Sequence, residues 1–522
     1  MKRLIKFELL SAALLWFLAS TISAQMLTIH ETEVVEINGS FSDDSDGDGW
    51  PDGWPMVDGA SMVEEENGNS FLRLSYRKPD ELIALKRNVP IPSNHHAYFF
   101  SCRARFENIQ KGKEQWHDGR IIFNFLDANG KRISSPNPPY FKRTSKGWIT
   151  KNTEFLVPEA AQSLEIILAL FQVKSGTLEF DDLLLVPIPA EPLIERIRIR
   201  KAERLADQER RAALVKPQIE APAIEDMPGA LKVFENKLLN PEGEIVTLRG
   251  LSVPSLEWVS NGEHIFESIR TAVEKWDANV IRLPVSDIFW IGKGPYQKDG
   301  GAAYRQLVED AANLCASLDV YMILDLHHNG IPVELHYNFW AEAAERLKEN
   351  PAVIFEVFNT ATYSEWDQWQ SDMQRMLEVI RATGAQNLII VDAMNGKQLL
   401  DTILKDNALK DPKGNGIVYS FHLYPDNDEE MESMSRIATK KPIFITELGA
   451  WSSENKEATA KNQEWANKAF SWLEQNQMHW AAWCFHPLAS PSMLSGWDYH
   501  PSQHWGIYVK DALKTSNEEL EE

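Results

Sequence analysis

Only three cysteines, Cys102, Cys315 and Cys484, occur in 522 residues, and they are widely spaced and odd in number. That excludes a disulfide framework, so stability has to come from packing. Cys315 falls on a helix pattern and Cys484 in a strand pattern, and both read as buried thiols. Positive charge is also scarce: 53 Lys and Arg face 76 Asp and Glu, a formal net charge of -23. Such a balance repels a phosphate backbone, and no nucleic-acid partner is expected. Glycine and proline, 27 of each, are too few for a collagen-like or low-complexity chain, and the 43% hydrophobic content suffices for large cores.

Long apolar runs are likewise missing beyond the amino terminus. MKRLIKF supplies a basic start and Leu9 to Ala19 an apolar stretch of signal-peptide length, with cleavage expected after Ser23 or Ala24. No cysteine closes that stretch, so a lipoprotein anchor is not expected, and no later segment reaches the roughly 18 apolar residues of a membrane span. The reading is a signal over residues 1–24 and a mature chain that is secreted or periplasmic, with no membrane partner after signal removal.

Residues 26–188 read as short β-rich runs such as AYFFSCRARF, RIIFNFLD and LEFDDLLLVP, divided by turn signals such as Asn129-Gly130. An antiparallel β-sandwich of jelly-roll type is the simplest architecture. Residues 190–230 change to closely mixed charges on helix formers, followed by Pro217, Pro222 and Pro228, which marks a charged helical linker. From 231 to 515 the rhythm becomes strand then helix. Eight apolar runs, VTLRGLSV, NVIRLPV, YMILDLHH, AVIFEVFN, NLIIVDA, GIVYSFHLY, KPIFITELG and HWAAWCFHP, predict a (β/α)8 barrel with its active groups at the C-terminal strand ends.

The polar residues that close these runs are Arg282, His327 with His328, Asn359, His422, Tyr424, Glu447 and Trp483. Such a set suits glycoside cleavage with retention, in which one carboxylate attacks the anomeric carbon and a second carboxyl about 5–5.5 Å away protonates the departing oxygen. Glu447 is placed to attack, and Arg282 and Tyr424 supply the charge and the hydrogen bond that would keep it ionised. His327 and His328 are adjacent, point to opposite faces of a strand and cannot act as one metal pair.

VIRLPV, ILDLHH, IFEVFN, the His422-Leu-Tyr424 triplet, ITELG and the strand-eight AAW occur in an order and spacing that resemble glycoside hydrolase family 5, the cellulase type, over about residues 232–513. The resemblance implies a secreted hydrolase of β-linked polysaccharide, of the retaining endo-glycanase type, needing no cofactor for catalysis. Asn359 would hold the substrate 2-hydroxyl, Glu447 would be the nucleophile, and His422 and Tyr424 would orient the carboxyl groups. Trp483 would be the platform under the sugar, with Arg282 and His327 completing the substrate-binding set.

One departure outweighs the matches. The family pattern is Asn-Glu-Pro at the end of strand four, and this chain reads Asn359-Thr360-Ala361, so Thr360 stands where the acid/base Glu belongs. A hydroxyl is too weak an acid to serve near neutral pH. Glu356 shares the inward face but lies roughly 13 Å deeper. Glu365 and Asp367 in the strand-four loop and Asp392 at the end of strand five are the candidate replacements. Two readings follow, a hydrolase with a relocated acid or an undemanding leaving group, and a catalytically inactive carbohydrate-binding pseudoenzyme.

In the amino-terminal module, Asp44, Asp46, Asp48 and Asp52 alternate around Gly49, as in loops that gather hard oxygen ligands, which makes them candidates for a structural calcium, completed by Asp181 or Asp182. An Asx-bonded polar turn is the alternative. The module resembles carbohydrate-binding jelly rolls, with Trp50, Trp54, Trp116 and Trp148 as stacking candidates. Of 18 tryptophans, Trp258, Trp290, Trp340, Trp451 and Trp505 fall near strand-top loops as candidate cleft residues.

Overall fold

The computed structural model describes residues 34–66, 68–363, 365–392, 409–425, 428–451 and 456–518. The expected signal at 1–24 lies outside them. The chain divides into two compact units, Met1–Glu203 and Arg204–Glu522.

The first unit has two antiparallel sheets. One is ordered β1 (Ala60–Glu64), β2 (Ser70–Ser75), β10 (Ser175–Pro187), β4 (Ala97–Gln110) and β8 (Ile149–Leu156). The other runs β3 (Leu82–Pro90), β9 (Ser163–Phe171), β5 (Gly119–Leu126) and β6 (Arg132–Ser134), with β7 (Tyr140–Phe141) also paired to β5. Alternation at period two buries Tyr98, Phe100, Cys102, Ala104 and Phe106 along β4. Phe100 meets Phe123 of β5 edge to face at 4.9 Å, so rings from both sheets share one core, consistent with the expected sandwich.

Two of the stacking candidates belong to that core. Trp50 and Trp54 are buried, and their indole N–H groups donate to the carbonyls of Trp54 (2.9 Å) and Ile37 (3.1 Å), which leaves neither face for a sugar. Trp148 packs on Phe71 with the Arg103 and Arg105 guanidinium groups over its ring. Trp116 alone of the four is largely exposed, at 55%. The charged helix α1 (Ala190–Ala212) carries the exposed pairs Arg198–Glu195 and Arg211–Asp207 at helical spacing and buries only Ala190 and Leu193.

The second unit is a closed parallel barrel of β11 (Arg249–Ser252), β12 (Val280–Val285), β13 (Tyr321–Leu326), β14 (Val353–Glu356), β15 (Ile389–Asp392), β16 (Ile417–Leu423), β17 (Ile443–Leu448) and β18 (His479–Ala482). All eight expected runs supply a strand. They read as continuous apolar runs because both faces are buried. Val280, Ile323, Ile354, Ile390, Val418 and Phe444 fill the barrel, while Leu283, Leu324, Phe355, Val391 and Ile445 pack outward in the helix-covered core. Two positions further along each strand, the same inward face carries Arg282, Asp325, Glu356, Asp392, Ser420 and Thr446, all buried.

Strict alternation would leave Glu447 outside, since Phe444 lies within. A bulge changes this: Phe421 pairs with Ile445, but the next residue, His422, pairs with Glu447, and Ile445 and Leu448 pair with Trp480 and Ala482. The extra residue in β17 turns Glu447 into the barrel mouth.

Candidate active site

Arg282 is fully buried at the centre of the site. Its Nε and Nη2 donate to the two oxygens of Glu356 at 2.7 and 3.2 Å, Nη2 also reaches Asn359 Oδ1 at 2.7 Å and Asp325 Oδ2 at 2.9 Å, and Nη1 donates to Glu447 Oε1 at 3.0 Å. The Tyr424 hydroxyl donates to the other Glu447 oxygen at 2.8 Å, and His422 Nδ1 stands 3.6 Å from it. Strand ends far apart in sequence thus meet on one guanidinium, and the sequence-expected Arg282, Asn359, His422, Tyr424 and Glu447 come together.

Burial alone would raise the Glu447 carboxyl, but His422, Arg282, His327 and the Tyr424 hydroxyl outweigh it and hold the group down at about 2. Burial lowers His422, so that ring is neutral at neutral pH, where Arg282 and Tyr424 are the partners that keep Glu447 ionised. One guanidinium cannot balance three carboxylates. Glu356 takes up part of the difference: burial and the neighbouring Asp325 push it up to about 7 despite its bonds to Arg282.

His327 Nδ1 bonds Asp325 at 2.6 Å, and its ring lies parallel to Trp483, 7° between planes and centroids 5.4 Å apart. On its other nitrogen stands Glu257 Oε1 at 3.7 Å, from the short helix α2 (Ser255–Trp258) that follows β11. Sequence reasoning missed Glu257. Burial raises its pKa, and its second oxygen is buried without a hydrogen-bond partner among the described residues, beside the His327–Trp483 stack. The signal available in the sequence was its place just beyond strand one, within the rule that strand-top loops carry function. Trp258 stands edge-on to Trp483 at 6.4 Å and Trp451 stacks on Tyr424 at 5.5 Å, both partly exposed. Trp290, Trp340 and Trp505 are buried in the core and line no cleft, because large apolar rings near strand ends also seal the barrel against its helices.

Thr360 occupies the strand-four end half-buried, its amide donating to the His328 carbonyl at 3.3 Å and its hydroxyl 3.4 Å from the Asn359 amide. Asp392 is buried and accepts the Ala361 N–H at 2.7 Å, so it braces this loop as a hydrogen-bond acceptor. Glu365 and Asp367 are exposed at the start of the helix Trp366–Ala382, a position that favours negative charge for its own sake.

His328 turns away from His327, toward Asp287 and His336, and one ligand atom from each of these three lies within 4.8 Å of the others. Their wide sequence spacing hid this cluster. Val333 N–H donates to His336 Nδ1 at 3.1 Å, which puts the proton of the neutral ring on Nε2, 3.3 Å from Asp287 Oδ2. Nε2 therefore donates a hydrogen bond and has no lone pair for a metal, so the cluster is a brace.

Asp44, Asp46 and Asp48 do gather their carboxylates within 4.8 Å. Asp44 also accepts the amides of Gly47, Asp48 and Gly49, the Asx-type turn. Asp52 binds Ser45 N–H instead, and Asp181 and Asp182 are held by Asn69 and Arg103, so these last two do not complete the set. Cys102, Cys315 and Cys484 are free and buried.

Residues 239–488 match the family model described as Cellulase (glycosyl hydrolase family 5). The chain is similar to an endoglucanase of Clostridium saccharobutylicum, 26% identical, covering 55% of this chain and 66% of that protein. It is also similar to endoglucanase E-5 of Thermobifida fusca, 23% identical over 56% of this chain and 62% of that one. The chain spans less than two thirds of the length of these curated relatives. A native β-glucanase structure from Saccharophagus degradans aligns at 20% identity with a TM-score of 0.48, covering 58% of this chain and 98% of that one, and a second structure of that enzyme is a complex with cellotetraose. Over residues 239–488 the chain is thus similar to glycosyl hydrolase family 5 of cellulase type, a glycosidase class that needs no catalytic cofactor.

Proposed function

We propose that the barrel binds β-linked polysaccharide across its mouth and cleaves it with retention, Glu447 attacking the anomeric carbon. The observation that carries this reading is the Glu447 carboxylate, held ionised at about 2 and aimed by Arg282 and Tyr424 at 3.0 and 2.8 Å. Attack of a Glu447 oxygen on the anomeric carbon forms a glycosyl ester and breaks the glycosidic bond, the leaving oxygen departing as its anion. Water then hydrolyses the ester, which releases the sugar with its starting configuration and restores Glu447. Asn359 is anchored through Arg282 to meet the 2-hydroxyl, Trp483 and His327 underlie the ring, and Glu257 accepts from a sugar hydroxyl.

Thr360 cannot protonate the leaving oxygen, so leaving groups that depart as stable anions are the favoured substrates. The same residue supports a second reading, a binding protein in which the cleft survives and chemistry is lost. A screen of cellulose, mannan, xylan and β-1,3-glucan fragments beside activated aryl glycosides separates the two: cleavage of aryl glycosides alone fits the absent acid, cleavage of a polymer requires a substitute, and binding without cleavage of either fits the second reading. Glu447→Gln should abolish any turnover; unchanged turnover would reject the assignment.

The remainder of the proposal is organisational. Residues 1–24 direct export to a secreted or periplasmic location, residues 26–188 form a carbohydrate-binding jelly roll, residues 190–230 a linker and 231–515 the catalytic-type domain. Asp44, Asp46 and Asp48 supply a structural calcium site. Among the described residues no helix is long and apolar enough to cross a membrane.

A further inference from the structure

Retaining cleavage uses one carboxyl twice, first as the acid that protonates the departing oxygen and then as the base for the water that opens the glycosyl ester. A threonine at 360 therefore alters the second step as well as the first. The groups that stand there are set by Arg282. A guanidinium has only N–H donors, so the Asn359 oxygen has to be the atom that meets it, at 2.7 Å. That orientation turns the Asn359 amide nitrogen the other way, where it donates to Asn329 Oδ1 at 3.0 Å and stands 3.4 Å from Thr360 Oγ1.

A fixed polarity at the end of β14 follows. Asn329 has its oxygen occupied as an acceptor and presents its NH2 group from an exposed position, and Thr360, which also accepts, keeps its hydroxyl proton to give. Neither side chain donates to a group among the described residues. The two are held side by side, because Asn329–Gly330 and Thr360–Ala361 pair as a short parallel ladder, continued by Thr362 N–H on the Gly330 carbonyl at 2.9 Å. The carboxylates considered as substitutes are engaged elsewhere: Asp392 with the Ala361 amide, Glu365 and Asp367 at the exposed start of a helix, Glu257 beside His327.

A glutamate at 360 would place a charge here that repels anions and takes a proton from water. Thr360 and Asn329 instead place two neutral donors here, which stabilise a nearby anion and cannot deprotonate water. We propose that this site passes the glycosyl unit of the Glu447 ester to a small anionic acceptor faster than to water. A lone pair of the acceptor forms the new bond to the anomeric carbon while the ester C–O bond breaks, and Glu447 departs with that electron pair as a carboxylate, so no proton has to move. Two displacements restore the β configuration. The donors that meet the leaving anion in the first step meet the acceptor in the second. This inference rests on the reading of Glu447 as the nucleophile.

Kinetics of the full chain on a dinitrophenyl β-cellobioside, alone and with sodium azide or inorganic phosphate, test it. With this leaving group the ester forms quickly, so dinitrophenolate should appear as a burst and then slow to the rate of water attack. General base assistance is worth about 10²–10⁴-fold, and an anion that needs none should raise kcat at least about tenfold. kcat/KM, which reports ester formation, should not move. NMR of the product should show β-cellobiosyl azide or β-cellobiosyl phosphate; azide alone supports the transfer and limits the acceptor to singly charged anions. Asn329→Asp keeps the oxygen that Asn359 needs and replaces the donor by a charge, and it should abolish the stimulation; full stimulation in that variant overturns the part given to the donors. Dinitrophenolate release with kcat unchanged by both anions overturns the acceptor and leaves the Glu447 reading standing. An α-configured adduct also overturns it, since that product arises without the Glu447 ester. No release at all overturns the reading beneath it.

Discussion

Restoring a carboxyl at position 360 should convert the protein into a competent polysaccharide hydrolase. Thr360 sits on fixed backbone, its amide bonded to the His328 carbonyl at 3.3 Å, and it follows Asn359, which is tied to Arg282 at 2.7 Å. A Glu side chain there would face the ionised Glu447, and that like charge would raise its pKa as a proton donor requires. General acid catalysis contributes about 10²–10⁴-fold, equivalent to about 3–5.5 kcal/mol of transition-state stabilisation. The assay is kcat/KM for wild type and Thr360→Glu on a β-1,4-glucan oligosaccharide and on a dinitrophenyl glycoside. The variant should gain about 10²–10⁴-fold on the oligosaccharide and less than about tenfold on the aryl glycoside, whose leaving group departs without a proton. A folded variant with no gain on the oligosaccharide, or with equal gains on both, would refute the reasoning that protonation is what the wild-type site lacks.

Arg282→Met should destabilise the barrel by about 3–5 kcal/mol, since it strands buried carboxylates; denaturant unfolding measures this, and a loss under about 1 kcal/mol would contradict the central role given to the guanidinium. His479 is held down at about 3 by burial, with its Nδ1 accepting Leu248 N–H at 3.0 Å. Its folded pKa lies below the unfolded value of about 6.5, so its contribution is full above pH 6.5 and is lost as pH falls toward 3; a melting-temperature profile of His479→Asn should be flatter across that window than that of wild type. Trp54→Ala should cost about 3–5 kcal/mol as a core cavity, whereas Trp116→Ala should leave stability within about 0.5 kcal/mol and weaken any glycan binding by the isolated surface; thermal melts and a pull-down on insoluble polysaccharide separate the two.

Much of the fold could be read in advance because parallel strands buried on both faces write themselves as unbroken apolar runs. The rule that such barrels keep their chemistry at strand ends then picked out Arg282, Asn359, Tyr424 and Glu447. What escaped depended on three-dimensional detail. Glu447 faces inward only through the bulge in β17, which no residue pattern in ITEL marks. Glu257 lies in a four-residue helix just beyond the first strand, too short to carry a periodic pattern. Trp290, Trp340 and Trp505 are the same residue type as the exposed Trp258 and Trp451, and only packing distinguishes a ring that seals the core from one that meets solvent.

The charge balance of the site and the delivery of a proton to its leaving group are carried by separate pieces of structure. Arg282 and its three carboxylates form a closed set inside the barrel, while Thr360 lies in a two-residue ladder with Asn329 and Gly330 outside that set. Exchanging the residue at 360 therefore removes no partner of Arg282. Position 360 can change with little cost to folding, and the stability of the barrel and the proton delivery proposed at its mouth answer to different residues.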